Sequence, residues 1–420
     1  MAVLPDDERF MREALELARL GVGLTSPNPS VGAVVVRDGS IVGRGCYTYE
    51  GVKHAEVLAL ERAGEEAARG STLYLNLEPC SHQGRTGPCA EAVLAAGVKR
   101  VVAAMRDPNP LVNGQGFEKL RAAGIEVVEG ICQAEARRLN EAFAKYVRHK
   151  TPLVTLKAGM TLDGKIAPPP GGSESPSALG AGEVAAGWIT SEEARAHLQE
   201  LRHASDAILV GVGTIIADDP LLTDRSGRPR RRPLMRVILD SRLRLPMESR
   251  VVKTAKDDVL ILCSMAEERR KQELEAHGVR VEQVEMVSAD RLTPSNVRRM
   301  PSRRRTGTGA PIKPDPSPGI TPGGRPDMRK VVERLGEMEI TSVLSEGGAL
   351  VNWAALAAGI VDKVFLYYAP KILAGTGSVP FAAGEGFRRV SEAARVKSVT
   401  LHRFGEDFAV EGYLRDPYAE

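Results

Sequence analysis

The 420-residue sequence has few cysteines, little net charge and no long apolar segment. Because it contains no apolar run of about 18 residues, we expect no membrane-spanning helix. Its five cysteines are an odd number without a secretory signal, which argues against a disulfide framework and for reduced thiols in the cytoplasm. The net charge of only +3 argues against a broad nucleic-acid-binding surface. The length is sufficient for two or three domains with buried cores.

Two short motifs carry the strongest chemical signal. They are HAE at residues 54–56 and LEPCSHQGRTGPC at residues 77–89. Together they place one imidazole and two thiols within 36 residues, which is the ligand set of a catalytic zinc site whose fourth position is left to water. Zinc lowers the pKa of that water towards about 7. The predicted zinc ligands are His54, Cys80 and Cys89.

Glu56 is predicted to carry protons rather than to bind the metal. In the first turn of a helix, side chains at positions 54 and 56 point about 200° apart, so they do not share one ligand role. A deaminase uses a metal-activated water to attack an amino-bearing ring carbon while a glutamate delivers protons to the departing ammonia. The pattern therefore predicts a zinc-dependent deaminase in which Glu56 is catalytic.

Other interpretations of these residues stay open. A structural zinc site normally has four protein ligands, and it has no use for the glutamate. Alternatively, the two cysteines are simply buried and the helix is a solvated surface element. His82 is either a fourth ligand or a loop residue that contacts substrate.

The hydrophobic pattern alternates helices with strands, which predicts an α/β architecture. Asp38 and Gly39 predict a tight hairpin turn between two strands, because such turns need positive φ. In the first 110 residues, the predicted elements are a helix of about 15 residues, strands at 31–36 and 41–46, a helix from His54 to about Arg69, a strand at 72–77, a helix from Pro88 and a strand at 100–104.

Residues 6–150 resemble the deaminase domain of the bifunctional riboflavin-biosynthesis proteins, which has a cytidine-deaminase-like α/β/α sandwich fold. The matching segments are NPSVGAVVV from Asn28, HAEV from His54, LEPCSHQGRTGPC from Leu77 and RDPNPLVNGQG from Arg106. Cytidine and nucleic-acid deaminases usually have the tighter PCxxC spacing. The resemblance implies one Zn²⁺ and a small phosphorylated pyrimidine as substrate. Asn28 would bind the pyrimidine edge, whereas its ordinary role is that of a turn residue before Pro29.

A basic, proline-ended junction at 148–152 predicts a boundary between a domain at 1–150 and a domain at 151–420. Two glycine turns in the second domain, GVGT at 211–214 and EGG at 346–348, each lie between a strand and a helix, where backbone N–H groups can approach a phosphate. Neither turn is a GxGxxG fingerprint, and on spacing alone a tight turn is the commoner role. The strands predicted here are 153–160, 206–211, 235–240, 259–263 and 340–345.

Residues 152 to about 416 resemble the reductase half of the same family, which has a dihydrofolate-reductase-like α/β fold and uses NADPH. The matching segments begin at Leu156, Trp188, Leu201, Val237, Val343 and Asp362. The resemblance implies that NADPH is bound by Gly159, Trp188, Thr214, Asp218, Gly348, Ala349, Leu350, Val351, Asn352, Trp353 and Ala354. It also implies that the substrate is bound by Lys157, Arg202, Leu222, Arg225 and Glu346, with Lys157 near the ribose.

The reduction itself calls for such groups. Converting a ribosylamino unit to a ribitylamino unit requires hydride delivery to the sugar C1 and nearby acid or base groups, for which Lys157 and Asp218 are suited. Arginine forks suit the 5-phosphate, which favours Arg202 and Arg225. Without the resemblance, solvated salt bridges would be the ordinary role of these arginines, and a core anchor that of Trp188.

Two segments depart from the family pattern. The stretch from Pro168 to Gly187 is longer than usual, and Ala186 stands where the family has a substrate-contacting serine. Residues 288–327 are rich in proline, arginine, glycine and serine, which predicts a mobile surface insertion. Its arginine run can touch nucleic acid, although a solvated loop is the commoner role.

The sequence therefore predicts a cytoplasmic, homo-oligomeric, bifunctional enzyme of riboflavin synthesis. Its first domain would deaminate 2,5-diamino-6-(5-phosphoribosylamino)pyrimidin-4(3H)-one, and its second would reduce the ribosyl to the ribityl side chain with NADPH. Neither a nucleic acid nor a membrane is expected as a partner. Two alternatives remain: a nucleic-acid base deaminase with an appended binding domain, and a deaminase whose second half is an inactive binding or assembly module.

Overall fold

The computed structural model describes residues 3–83, 87–169, 187–287 and 324–419. Within these ranges the chain forms two main β-sheets with helices packed against them, which confirms the predicted α/β architecture. Ala186 and most of the 288–327 stretch lie outside the described residues. No helix in the described ranges combines the length and the apolarity that crossing a lipid bilayer requires.

The first sheet has five strands in the order β2-β1-β3-β4-β5. Its strands are β1 (Gly32–Arg37), β2 (Ser40–Cys46), β3 (Thr72–Leu75), β4 (Arg100–Ala103) and β5 (Glu126–Glu129). β1 runs antiparallel to β2 and β3, whereas β3, β4 and β5 are parallel. The hairpin prediction is confirmed, because Asp38 and Gly39 have φ angles of 49° and 75°.

The helices around this sheet fix where its functional residues lie. They are α1 (Asp7–Arg19), α2 (Ala55–Ala63), α3 (Glu65–Ala68), α4 (Cys89–Ala95), α5 (Gln115–Ala122), α6 (Gln133–Leu139) and α7 (Glu141–His149). The predicted continuous helix from His54 to Arg69 is wrong, because Gly64 adopts a φ of 78° and separates α2 from α3. α2 lies directly on β2: a Cβ atom on Gly45 would meet the Ala55 carbonyl oxygen at 1.9 Å.

The second sheet has nine strands in the order β11-β10-β9-β8-β14-β6-β15-β18-β17. Its strands are β6 (Leu153–Thr161), β8 (Ala207–Gly211), β9 (Met235–Leu239), β10 (Val259–Cys263), β11 (Val279–Gln283), β14 (Ser342–Gly347), β15 (Lys363–Ala369), β17 (Lys397–Phe404) and β18 (Asp407–Tyr413). Neighbours from β11 to β15 are parallel, and β18 and β17 complete the sheet in antiparallel pairing. All of β10 is buried, as expected for a parallel sheet covered on both faces.

The remaining elements surround this sheet. The helices are α8 (Glu192–Ala204), α9 (Val212–Asp218), α10 (Arg250–Lys253), α11 (Glu268–Glu275), α12 (Met328–Glu337) and α13 (Ala349–Ala357), with a 3₁₀ turn at Val390–Glu392. Two short ladders pair β7 (Lys165–Ala167) with β16 (Val379–Pro380), and β12 (Met286–Val287) with β13 (Arg325–Pro326). α9 follows β8 and α13 follows β14, so both helices begin at the same edge of adjacent parallel strands.

Candidate active sites

Three elements of the first half bring the predicted zinc ligands together. His54 immediately precedes α2, Cys80 lies in the loop after β3, and Cys89 is the first residue of α4. The Nδ1 atom of His54 lies 3.0 Å from the Cys89 sulfur and 3.6 Å from the Cys80 sulfur. All three ligand atoms lie within 4.8 Å of one another, and the described part of the chain holds no second group of this kind. One imidazole and two thiols at this separation fit zinc, and neither His82 nor Glu56 belongs to the group.

The two thiols also favour a cation electrostatically. A hydrogen bond with the Cys89 thiol, followed by one with His54, lowers the pKa of the Cys80 thiol to about 4. The same thiol–thiol contact and burial raise the pKa of Cys89. The pair thus accepts one negative charge readily and resists a second, because both sulfurs share one buried space. A divalent cation between them would stabilise both thiolates.

Glu56 lies in the first turn of α2 and is only 3% exposed. Burial raises the pKa of its carboxyl, and the nearby His54 opposes that rise. A carboxyl with a raised pKa is suited to accept a proton in one step and to donate it in the next. The structure therefore places a buried carboxyl beside the ligand group and outside it.

Asn28 is linked to the metal-ligand group through Tyr47, a residue that the sequence analysis did not identify. Its amide Nδ2 donates a hydrogen bond to the Tyr47 hydroxyl at 2.6 Å. The Tyr47 ring packs edge-on against the His54 ring, with 5.4 Å between centroids. Tyr47 follows β2 directly, and the strand thus brings its ring to His54 at the start of α2. A tyrosine just after the strand under the metal-binding helix was the available signal.

Glu78 was also missed, although it precedes the Pro79-Cys80 pair. Its carboxylate is 3% exposed and accepts hydrogen bonds from the backbone N–H groups of Asp107, Gly114 and Gly116 at 3.0, 2.9 and 2.8 Å. A Cβ atom on Gly116 would meet the Pro79 carbonyl oxygen at 2.1 Å. This buried carboxylate therefore ties the 107–116 loop to the segment that presents Cys80. The signal in the sequence was an acidic residue two positions before a predicted metal ligand, together with a glycine-containing loop at 107–116 that could donate hydrogen bonds to it.

In the second half, the two glycine turns lie against each other. Gly347 and Gly348 both have a φ of 70°, which favours glycine. The Thr214 hydroxyl donates to the Gly347 carbonyl at 3.3 Å, and a Cβ atom on Gly348 would lie 3.2 Å from the same hydroxyl. The GVGT turn at 211–214 and the EGG turn at 346–348 thus lie side by side where β8 and β14 end, and we call this pair of turns the glycine cradle. Asp218 lies at the end of the adjoining helix α9. Burial raises the pKa of the Asp218 carboxyl.

Lys157, Arg202 and Glu346 form a charged group beside this cradle. Arg202 donates two parallel hydrogen bonds to the Glu346 carboxylate, at 2.7 and 2.9 Å. Burial alone would raise the pKa of the Glu346 carboxyl. Arg202, and to a smaller extent Lys157, outweigh burial and lower this pKa. Burial lowers the pKa of the Lys157 amine, against the pull of Glu346. Arg225 is exposed but contributes to the field at Glu346, whereas Leu222 is 3% exposed and belongs to the hydrophobic core.

The other predicted cofactor residues are placed less uniformly. Gly159 packs its Cα side against Thr190, where a Cβ atom would lie 3.0 Å from the threonine methyl group. Trp188 is 45% exposed, and the Arg195 guanidinium lies over its ring. Asn352 is buried and donates to the Phe381 carbonyl at 2.8 Å, so its amide holds a loop. In the rest of the 349–354 segment, Leu350 is exposed and Trp353 packs edge-on against Phe387.

Family models match both halves of the chain. The model described as the RibD C-terminal domain matches residues 152–410, and the cytidine and deoxycytidylate deaminase zinc-binding region matches residues 4–105. Two curated relatives match almost the whole chain, and both are riboflavin biosynthesis proteins RibD. The one from Aquifex aeolicus (strain VF5) is 38% identical, with 96% of this chain and 97% of the relative covered. The one from Escherichia coli (strain K12) is 36% identical, with 96% and 97% covered.

Solved structures give the same result. RibD from Acinetobacter baumannii, in its second form, is 33% identical and superposes with a TM-score of 0.74, covering 97% of this chain and 98% of its own. A diaminohydroxyphosphoribosylaminopyrimidine deaminase/5-amino-6-(5-phosphoribosylamino)uracil reductase from Thermotoga maritima is 34% identical. It superposes with a TM-score of 0.73, covering 97% of this chain and 98% of its own.

Proposed function

The chain belongs to the RibD family of riboflavin biosynthesis proteins, and on that premise we propose that its two halves act in succession on one phosphorylated pyrimidine. It is a bifunctional enzyme, a zinc-dependent deaminase joined to an NADPH-dependent reductase. The predicted family, fold class, cofactors and pair of activities are confirmed, and an inactive second half is not favoured. The proposed reactions are those named for the T. maritima protein: deamination of the diaminopyrimidine ribosyl phosphate, then reduction of the resulting aminouracil.

One observation carries this proposal. His54, Cys80 and Cys89 converge beside a buried carboxyl, Glu56, in a chain whose other half matches the RibD C-terminal domain. A metal site with three protein ligands and an adjacent proton carrier is what hydrolytic deamination needs. A reductase attached to it would act on the product.

We propose that the chain divides into domains at 1–150 and 151–420. Support comes from the sheets, since strands β1–β5 lie between residues 32 and 129 and strands β6–β18 between residues 153 and 413. The largest apolar cluster of the first half is also distinct from those of the second. Of the proposed insertion at 288–327, the described residues 324–327 contribute β13 (Arg325–Pro326), which pairs with β12, and the rest lies outside the described residues.

In the deaminase half, we assign the zinc ion to His54, Cys80 and Cys89. When bound, zinc supplies a water molecule of lowered pKa at its open position. Glu56 takes a proton from the attacking water and delivers it to the amino group that leaves as ammonia. Asn28, held by the Tyr47 hydroxyl, recognises the edge of the pyrimidine ring. The burial of Glu56 keeps bulk water from competing for that proton.

In the reductase half, we assign NADPH to the cradle of the two glycine turns and the residues around it. When bound, NADPH supplies the hydride for the sugar carbon. The assigned residues are Gly159, Trp188, Thr214, Asp218, Gly348, Ala349, Leu350, Val351, Asn352, Trp353 and Ala354. Most of them line the edge where β8 and β14 end, which is where ligands of parallel sheets bind.

The assigned substrate residues of the reductase have different tasks. Lys157 provides the proton for the sugar, since burial brings the pKa of its amine below the ordinary value. Arg225 is exposed and suits the phosphate, whereas Arg202 already has its fork on Glu346 and meets the substrate as part of that pair. The Leu222 side chain is buried in the hydrophobic core, so it supports the segment that carries Arg225.

We further propose a homo-oligomer in the cytoplasm. β17 is an edge strand of the nine-stranded sheet, and its Val399 and Leu401 are 55% and 69% exposed. A second copy would cover such an edge. All five cysteines are free, which fits a reducing compartment. A single species of monomer mass by light scattering at micromolar concentration would refute the oligomer.

The test of the proposed function is mass spectrometry of the diaminopyrimidine ribosyl phosphate incubated with zinc-loaded protein, with and without NADPH. We expect an amino group to be replaced by oxygen without NADPH, and two hydrogens to be gained only after NADPH is added. Protein stripped of zinc should give neither product from this substrate but should still reduce the deaminated one. Deamination without reduction would contradict the reductase assignment. No change at all would overturn the deaminase assignment, and failure to reduce the deaminated substrate as well would overturn both.

A further inference from the structure

A loop of the second half reaches the deaminase half. It spans Arg228–Arg232, between α9 and β9, and contains three consecutive arginines. Among the described residues, Arg230 donates to groups of its own half, including the His203 and Ser205 carbonyls at 2.7 and 2.6 Å. Arg231 differs, because among the described residues its guanidinium contacts groups of the first half, namely Ser26, Tyr49 and Glu50.

The Arg231 side chain holds two separate segments of the deaminase half. Its Nη1 donates to the Ser26 carbonyl, and its guanidinium carbon lies 3.4 Å from the centroid of the Tyr49 ring. Its Nε also lies 3.5 Å from the Glu50 carboxylate. The Arg231 side chain is 19% exposed, whereas that of Glu50 is 80% exposed, so the Ser26 and Tyr49 contacts are the shielded ones and the ion pair with Glu50 is screened by water. The plane of the Arg231 guanidinium stacks on the Tyr49 ring, while an N–H at its edge donates to the Ser26 carbonyl.

Both segments lead directly to the proposed pyrimidine site. Ser26 lies two residues before Asn28, and Tyr49 lies two residues after Tyr47. The segments are joined to each other, since the Tyr49 N–H donates to the Leu24 carbonyl at 3.0 Å and Asn28 donates to the Tyr47 hydroxyl. Arg231 thus contacts both segments at once, the one that carries Asn28 and the one that carries Tyr47, and holds them together.

We propose that Arg231 is a positioning residue of the deaminase pocket, so that pyrimidine binding in the first half depends on a side chain from the second. The inference rests on the proposed deaminase function and adds to it a specific role for the reductase half. Without the guanidinium, the Ser26 and Tyr49 segments lose their common support, and Asn28 no longer has one fixed position. Binding of the ring then weakens, whereas zinc and Glu56 keep their own supports in α2 and α4.

Substituting Arg231 should leave the fold intact. The backbone N–H of residue 231 would still donate to the Gly23 carbonyl at 2.8 Å. Two further contacts between the halves stay in place: Ser26 with Asp206 at 2.7 Å, and His203 with the Val22 carbonyl at 3.2 Å. Arg231→Ala therefore removes the brace and little else.

The experiment measures deamination kinetics of full-length, zinc-loaded Arg231→Ala with the diaminopyrimidine ribosyl phosphate. We expect KM to rise about tenfold with kcat within about twofold, because a binding contact is lost rather than a contact of the transition state alone. Zinc content and the rate of reduction of the deaminated substrate should match the parent protein. Arg228→Ala is the matched control, since the exposed Arg228 side chain makes no ion pair or hydrogen bond with the described residues.

A reciprocal variant tests the contact itself. Tyr49→Leu should also raise KM, and the double variant should raise it no further than the larger single effect, since both remove one interaction. An unchanged KM in Arg231→Ala would overturn the inference while leaving the deaminase function standing. A joint fall of zinc content, reduction and deamination would do the same, because it would show a merely structural role. Failure of the parent protein to deaminate would instead refute the proposed function.

Discussion

The two candidate sites are built in opposite ways. The metal group takes its ligands from residues 54–89, where two ligands lie at the starts of helices and the third lies in a loop. The reductase cleft collects residues from 157 to 354, and its central carboxylate is already paired with an arginine. The metal group is formed by residues close in sequence and needs a cation to balance its thiolates. The reductase cleft is formed by distant segments of the second sheet, and its charged side chains pair with one another. Damage to either should therefore leave the other largely intact.

The largest effect should come from Glu56→Gln. Losing the proposed proton carrier at the metal group should reduce deamination about a thousandfold, since general acid–base catalysis contributes about 10²–10⁴. The amide has nearly the same shape, so zinc content by atomic absorption and reduction of the deaminated substrate should be retained. Loss of zinc together with activity would show that Glu56 is a ligand, and the contrast between the sites would need revision.

Glu346→Gln should produce the next largest effect, and only in the reductase. It leaves Arg202 and Lys157 as neighbouring buried cations without a counter-charge, so we expect kcat/KM for reduction to fall about a hundredfold. Glu282→Gln is the control, because Glu282 makes a similar pair with Arg334, at 2.7 and 3.2 Å, nearer the surface. Equal losses in the two variants would mean that the charge arrangement of the cleft is unimportant.

Glu78→Gln should lower stability rather than catalysis. Its carboxylate serves three short backbone hydrogen bonds, and an amide would turn N–H groups towards some of those donors, which costs about 2–3 kcal/mol. Zinc release during heating, followed with a chelating dye, should begin at a lower temperature than in the exposed control Glu118→Gln. Release at an unchanged temperature would refute the view that Glu78 secures the Cys80 segment.

The smallest effect concerns acid stability of the second half. Burial alone would raise the pKa of the Asp224 carboxyl, but hydrogen bonds with Ser226, His203 and Arg230 lower this pKa to about 2. Because this value lies below the ordinary 3.8, the stabilisation is complete above about pH 4 and is lost as pH falls towards 2.

Tryptophan fluorescence can follow this change in one half of the chain. Both tryptophans, Trp188 and Trp353, lie in the second half. Asp224→Asn should therefore unfold more easily than the parent protein at pH 5, and the difference should disappear near pH 2. A difference that persists at pH 2 would mean that ionisation of Asp224 is not its origin.

Several features were readable from the sequence because they are local. The Asp38-Gly39 hairpin, the alternation of helices and strands, and the metal motifs all follow from spacing along the chain, since a helix start and a short loop hold neighbouring residues in fixed relation. The helix from His54 to Arg69 was predicted too long because one glycine, Gly64, takes a positive φ that helix propensity does not reveal.

The sequence by itself therefore determined the family and the α/β architecture, and it singled out His54, Cys80 and Cys89, whose ligand atoms the structure brings within 4.8 Å of one another. Tertiary structure alone decided that Glu78 fastens the Cys80 segment, that GVGT meets EGG, that Arg202 is committed to Glu346, and that Arg231 braces the Asn28 turn. The physical reason is distance along the chain. Each of these contacts joins residues about 30 to 200 positions apart, and only the packed sheets, not any local pattern, determine which of the many possible partners meet.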